Sequence, residues 1–278
     1  RRLSLQTLYA HNTVRRLAPL LRDARPGMRS GIQRAAERPW YPLTPAQQSF
    51  YVLQHLDESG VGYHMPGVFR LSEPVEHQRL ERAFRELIAW DEMLRTGFEP
   101  MDNRIVQRIA AEAPFALEQL QDMEPEQALA GFIRPFDLAR PPLLRAALLD
   151  NQDAQYLLLD MHHILGDGIS SALTLQRLDK LYCGEQLERP ALRYIDYACW
   201  LEDNAPDDDF WRQQFADGAP EMSLPADRPR PPIFDGKGDA VHFDLPAELA
   251  QACDQYCQGK QLTPYMFLLG VYGVMLAR

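Results

Sequence analysis

The sequence predicts an α/β fold, mixed α+β in detail, built as a mixed sheet flanked by helices. Tyr156 to Leu159 is continuously apolar, as expected of a strand buried on both faces. Two pairs of short apolar segments read as hairpins: Leu94 to Phe98 with Arg104 to Ile109, turning at Pro100 to Asn103, and Leu143 to Leu149 with Gln155 to Met161. Helical periodicities lie among these strands without a strict βαβ rhythm, which argues for a mixed sheet over a parallel one.

Each element has its own signal. Leu3, Leu5, Leu8 and Tyr9 precede Thr13, which suits the N-cap of a helix carrying Val14, Leu17, Leu20 and Leu21. That piece is too short to bury its own apolar face. Residues 23–40 hold Pro26, Gly27, Ser30, Gly31 and Pro39 with little periodicity and read as an extended linker. The next helix has an N-terminal signature: Thr44 as cap, Pro45 at the first position and Gln47 at the third, a capping box. Leu80, Phe84, Leu87 and Ile88 form one apolar stripe, with Arg79, Glu81, Arg82, Arg85 and Glu86 facing water. Ile169, Leu173, Leu175, Leu178 and Leu181 give a further helix. Asp207, Asp208 and Asp209 read as a solvated helix start, and the proline-rich stretch from Leu224 to Pro232 as a crossing linker. A strand from Ala240 to Leu245 and two helices follow, the last opened by Thr263 and Pro264.

Composition excludes several function classes. The formal charge of -10 argues against a nucleic-acid partner. The charge is uneven, because residues 1–38 carry nine arginines against Asp23 and Glu37, which reads as a solvated basic arm. The longest apolar stretch, Tyr265 to Ala277, is too short to span a bilayer, so no membrane role is expected. No secretory signal is visible and none is expected, and four cysteines do not suggest a disulfide scaffold; a reducing cytoplasm fits. Cys253 and Cys257, one helical turn apart, would suit half a metal site or two unpaired thiols.

The chemistry concentrates in Met161-His162-His163-Ile164-Leu165-Gly166-Asp167-Gly168-Ile169-Ser170, at the junction of the buried strand and a helix. Histidine ordinarily titrates near neutrality, so an imidazole held there can take and return a proton. On extended backbone His162 and His163 point to opposite faces, and only one can face a given cavity. Asp167 could orient an imidazole or pair with a buried arginine. The pair by itself also fits two polar residues at a strand end. A zinc site would need further ligands, and no third His or Cys lies at ligand spacing.

HHxxxDG resembles the signature of the condensation domains of nonribosomal peptide synthetases, within the chloramphenicol acetyltransferase-like superfamily. Four other stretches resemble that family's markers in the same order. They are Leu43 to Tyr51 (SxAQxxLxx), Asp91 to Phe98 (RHExLRTxF), Pro135 to Arg145 (PFDLxxxPLLR) and Tyr194 to Trp200 (YxDFAxW). The resemblance implies a chloramphenicol acetyltransferase-like fold cut at both ends. Residues 1–22 would be the C-terminal helices of a carrier protein domain, 23–40 a linker, 41–222 the N-terminal lobe and 223–278 the start of the C-terminal lobe. It implies peptide-bond formation between an upstream acyl or peptidyl thioester and the amine of a downstream aminoacyl thioester. The partners would be the two carriers and an adenylation domain of the same synthetase. No cofactor would be bound directly, since the substrates ride on the carriers' 4'-phosphopantetheine.

For the site, the resemblance implies that His163 is the base or positions the amine, and that His162 is structural. Asp167 would form a buried ion pair with Arg95 that supports the active loop. Gly168 would let that loop approach the reacting groups. Two departures stand out: Trp90-Asp91 where the family has Arg-His, and Gly166 where serine is common. An epimerisation domain of the same fold is an alternative, although those usually carry tryptophan where Ser171 stands. Heterocyclising relatives replace the first histidine with aspartate and are excluded by His162. A non-catalytic platform that recruits carriers is the alternative from a different class.

Overall fold

The computed structural model describes residues 11, 13–23, 31–57, 59–151, 154–205, 208–219, 228–229 and 240–277. The chain divides into two compact units, residues 1–206 and 207–278. The expected elements in residues 1–10, and nearly all of the proline-rich stretch, lie outside the described residues.

The first unit begins with α1 (Val14–Asp23), where Thr13 Oγ1 accepts the Arg16 N–H as the sequence suggested. β1 (Tyr41–Pro42) leads into α2 (Pro45–Leu56), whose capping box is formed: Thr44 Oγ1 accepts the Gln47 amide and Gln47 Oε1 accepts the Thr44 amide. β2 (His64–Arg70) and α3 (His77–Trp90) follow, with Leu80, Phe84, Leu87 and Ile88 buried on one stripe. A 3-10 turn (Glu92–Arg95) precedes the hairpin of β3 (Thr96–Met101) and β4 (Arg104–Ile109). Its turn residues Asp102 and Asn103 have φ of 46° and 67°, the left-handed pair that matches strand twist in a two-residue loop. The expected strand start at Leu94 is instead in the 3-10 turn, because Asp91 Oδ1 accepts the Met93 N–H and caps it.

β5 (Glu118–Gln121), α4 (Pro125–Phe132), β6 (Leu144–Asn151) and β7 (Ala154–His162) complete the sheets. β1, β4 and β3 make a three-stranded antiparallel sheet. The larger sheet has the order β2-β7-β6-β5, antiparallel except for the parallel β5–β6 pair, and is therefore mixed, as expected. β7 is its centre and is buried on both faces. Leu157, Leu159 and Met161 join the core beneath α3 and α5 (Gly168–Tyr182), whereas Leu158 packs with Ala128 and Phe132 of α4. Two layers of helix thus cover one sheet, and its central strand is buried on both faces.

The helical pattern of α5 needs correction. Only Leu178 of the predicted stripe is fully buried, with Leu175 and Leu181 packed at the core edge and Ile169 and Leu173 exposed. The residue buried near the start of that helix is Thr174, whose hydroxyl donates to the Ser170 carbonyl. α6 (Tyr194–Asp203) closes the first unit.

The second unit contains α7 (Asp209–Gln214), α8 (Ala247–Lys260) and α9 (Pro264–Leu276), the last capped by Thr263 accepting the Met266 N–H. The expected strand at residues 240–245 does not form; that backbone is irregular and exposed, with Val241 88% and Phe243 79% accessible. A strand needs a neighbouring strand to take its backbone hydrogen bonds, and no strand lies alongside this segment among the described residues. Cys257 is buried and Cys253 partly so, both as free thiols.

Candidate active site

The site is built where β7 ends. His162 is the last residue of that strand, and His163–Leu165 form a 3-10 turn before Asp167 caps α5. The strand is pinned between β2 and β6, so the turn is carried on the most rigid part of the sheet. The two imidazoles separate as predicted.

His162 is fully buried. Its Nδ1 accepts the Ile164 N–H at 3.1 Å, so Nε2 carries the proton and donates to Gln54 Oε1 at 3.0 Å. Burial, followed by the nearness of His64, pushes its pKa down to about 4, so the ring is neutral. Behind it, on the same sheet face, Asp160 accepts from His64 Nδ1 at 2.8 Å, and the Arg145 guanidinium lies 3.8 Å from that carboxylate and over the Phe136 ring. This buried polar group holds the strand end from below.

His163 lines a cavity of about 740 Å³. Its ring stacks on Phe50 of α2, with centroids 4.6 Å apart and planes 19° apart. Its backbone N–H donates to the Tyr63 carbonyl at 2.9 Å. Its Nδ1 is buried without a hydrogen-bond partner among the described residues. An imidazole held by stacking and lining a cavity has the chemistry for proton transfer.

Asp167 also lines the cavity, but the expected ion pair with Arg95 is not formed. Asp167 is exposed and accepts from the Ser170 amide at 2.9 Å and the Ser170 hydroxyl at 2.8 Å, which holds its carboxyl below the usual range. It is the N-cap of α5, a local role whose partner lies three residues away. Arg95 instead donates to the Ala110 and Ala111 carbonyls, bracing the end of β4. Arg95→Ala and Asp167→Ala are therefore expected to shift the thermal midpoint independently, so that the double variant shows the sum. A double variant markedly less harmful than that sum would mean the pair forms.

The tight glycine is Gly166, where an added Cβ would lie 2.5 Å from the Ser170 Cβ. At Gly168 the same atom would meet nothing within 4 Å, so packing does not require glycine there. The Trp90-Asp91 departure is accommodated by Arg177 of α5. Its guanidinium sits 3.3 Å from Asp91 Oδ2 and 4.8 Å above the Trp90 ring, while Arg189 donates to the Trp90 carbonyl. Burial pushes the Asp91 carboxyl up, against the pull of its bond from Met93 and of Arg177 and Arg95.

Three residues beside the histidines received no site role from sequence. Phe50 and Gln54 are one helical turn apart on α2, a spacing that puts both on one face. Phe50 meets His163 and Gln54 meets His162, so one helix face holds both rings. Tyr63 lies in the connection before β2 and carried no periodic signal. Among the described residues, no group of three or more His, Cys, Asp or Glu is arranged to hold a metal.

Residues 37–278 match the Condensation domain family. The chain is 38% identical over 284 residues to one of the plipastatin synthase proteins of Bacillus subtilis (strain 168), covering 99% of this chain and 11% of that protein. It is 33% identical over 283 residues to gramicidin S synthase 2 of Aneurinibacillus migulanus, covering 99% of this chain and 6% of that one. The chain thus spans about a tenth or less of the length of these relatives. Among solved structures, it resembles the X-domain from teicoplanin biosynthesis in its complex with OxyB, with TM-score 0.72 and 26% identity over 84% of this chain and 56% of that one. The first condensation domain of the CDA synthetase shares the fold, with TM-score 0.66 and 21% identity over 87% of this chain and 63% of that one. The matched span takes in the HHxxxDG turn and every strand from β1 to β7. The chain belongs to the condensation domain family.

Proposed function

We propose that this chain forms peptide bonds in a modular nonribosomal peptide synthetase in the cytoplasm. The substrates are an acyl or peptidyl thioester on an upstream carrier and an aminoacyl thioester on a downstream carrier, each held by 4'-phosphopantetheine. An adenylation domain of the same synthetase supplies the activated amino acid. Residues 1–22 belong, in this reading, to the upstream carrier, 23–40 to the linker, 41–222 to the N-terminal lobe and 223–278 to the start of the second.

The observation that carries the reading is the placement of His163: held by stacking on Phe50 and lining the cavity. The downstream amine attacks the upstream thioester carbonyl, forming a C–N bond and then breaking the C–S bond to release the upstream pantetheine thiol. The amine must shed a proton as it attacks, and His163 accepts it and returns it to the leaving sulfur. His162 cannot share that task, since both its nitrogens are engaged and the ring is neutral.

The test is direct. The synthetase that contains this chain is given loaded donor and acceptor carriers, and dipeptidyl thioester on the downstream carrier is followed by mass spectrometry. Appearance of that product is expected. Inversion of the donor α-carbon without product would identify an epimerisation domain, and absence of both with fully loaded carriers a recruiting platform.

A further inference from the structure

We infer that Gln54 is a positioning residue for this reaction: its carboxamide sets the direction of a hydrogen-bond relay that fixes the turn carrying His163. The inference rests on the condensation reading above.

The relay begins at a group that can only accept. The Gly60 carbonyl receives Gln54 Nε2–H at 2.8 Å, which leaves Gln54 Oε1 facing His162. An oxygen there demands a proton on His162 Nε2, so Nδ1 must be the bare nitrogen. That nitrogen takes the Ile164 N–H, within the same 3-10 turn as His163. Each link has one allowed polarity, and reversing any one would leave a buried group unpaired.

The placement of Gln54 adds to this. It sits on α2 four residues after Phe50, whose ring faces His163. The helix therefore clamps the catalytic ring by stacking and the structural ring by hydrogen bonding, from a single face. Gly60, the other anchor, has φ of +66° and would bring a Cβ to 3.1 Å from Pro135, so the loop holding the first acceptor has little freedom. The low pKa of His162 agrees, since a second proton at Nδ1 would break the bond to Ile164.

Gln54→Glu separates this role from simple packing. A protonated glutamic acid has the polarity of glutamine, its O–H donating to the Gly60 carbonyl and its C=O accepting from His162. Once ionised it has no donor for Gly60 and draws a second proton onto His162, which removes the acceptor for Ile164. His64, Asp160, Arg145 and His163 lie around His162, and Tyr51, His55 and Asp137 share a cavity with Gln54; all are common to wild type and variant. The difference between the two pH profiles therefore isolates residue 54.

In the intact synthetase, kcat of Gln54→Glu is expected to be near normal in acid and to fall with rising pH through an ionisation that wild type lacks. Gln54→Met, of similar size but unable to bond, is expected to lose roughly 10- to 100-fold in kcat at every pH with KM for the carriers unchanged. Parallel profiles for Gln54→Glu and wild type, or normal kcat in a folded Gln54→Met, would overturn the assignment. Should either variant fail to fold, ¹⁵N NMR of histidine-labelled wild type still decides: a neutral His162 protonated at Nε2 is expected, and protonation at Nδ1 refutes the relay. If wild type itself makes no product with both carriers loaded, the condensation reading falls, while the NMR result still judges Gln54.

Discussion

Replacing His163 with alanine is expected to lower dipeptidyl-thioester formation by about 10²- to 10⁴-fold, the range for losing one general acid–base group. Loading of both carriers should be unchanged, because loading does not pass through this turn. The fold should survive as well. The backbone N–H keeps its bond to Tyr63, and the lost Nδ1 had no partner to strand among the described residues. What is given up in stability is the stack on Phe50, worth about 0.5–1.5 kcal/mol. A folded His163→Ala enzyme with near-normal turnover would show that the amine's proton leaves by another route, and that His163 only shapes the cavity.

His162 should behave in the opposite way. His162→Ala opens a hole at a fully buried site and strands the Ile164 N–H and Gln54 Oε1, so a loss of roughly 2–5 kcal/mol is expected at pH 7. The loss should shrink in acid. Folding lowers the His162 pKa from 6.5 to about 4, so the folded state prefers the neutral ring. The resulting stability is complete above the unfolded value of 6.5, declines as the pH falls below it, and is gone below about 4. That interval corresponds to about 3 kcal/mol. Urea unfolding at pH 7 and pH 4.5 should therefore show the gap between wild type and His162→Ala narrowing. A constant gap would mean that the buried ring tolerates its second proton.

Much of the fold is legible in the sequence alone, and the legible parts share a cause. The capping box at Thr44 and Gln47, the Thr263 cap and the Asp102-Asn103 turn depend on groups within three residues of one another. The apolar run of β7 announces a strand buried on both faces because only a central strand can use it. Strand alternation also foretells that His162 and His163 part, which separates the buried ring from the one that lines the cavity. Asp167 is instructive in another way. The spacing Asp167 to Ser170 is a helix-cap signature, and the local bond forms in place of the distant pair with Arg95.

What the tertiary structure alone decided are the contacts between residues far apart in the chain. Gln54 and His162 are separated by 108 positions, His64 and Asp160 by 96, and Asp91 and Arg177 by 86. None of these pairs leaves a period or a motif, since side chains record their neighbours along the chain and not across it. The segment from Ala240 to Leu245 makes the same point in reverse, having the composition of a strand and no strand beside it among the described residues. Local sequence can supply a cap, a turn or an apolar face, because those are satisfied within a few residues. Which imidazole carries its proton where, and which glutamine makes it do so, depends on strands and helices brought together by a core.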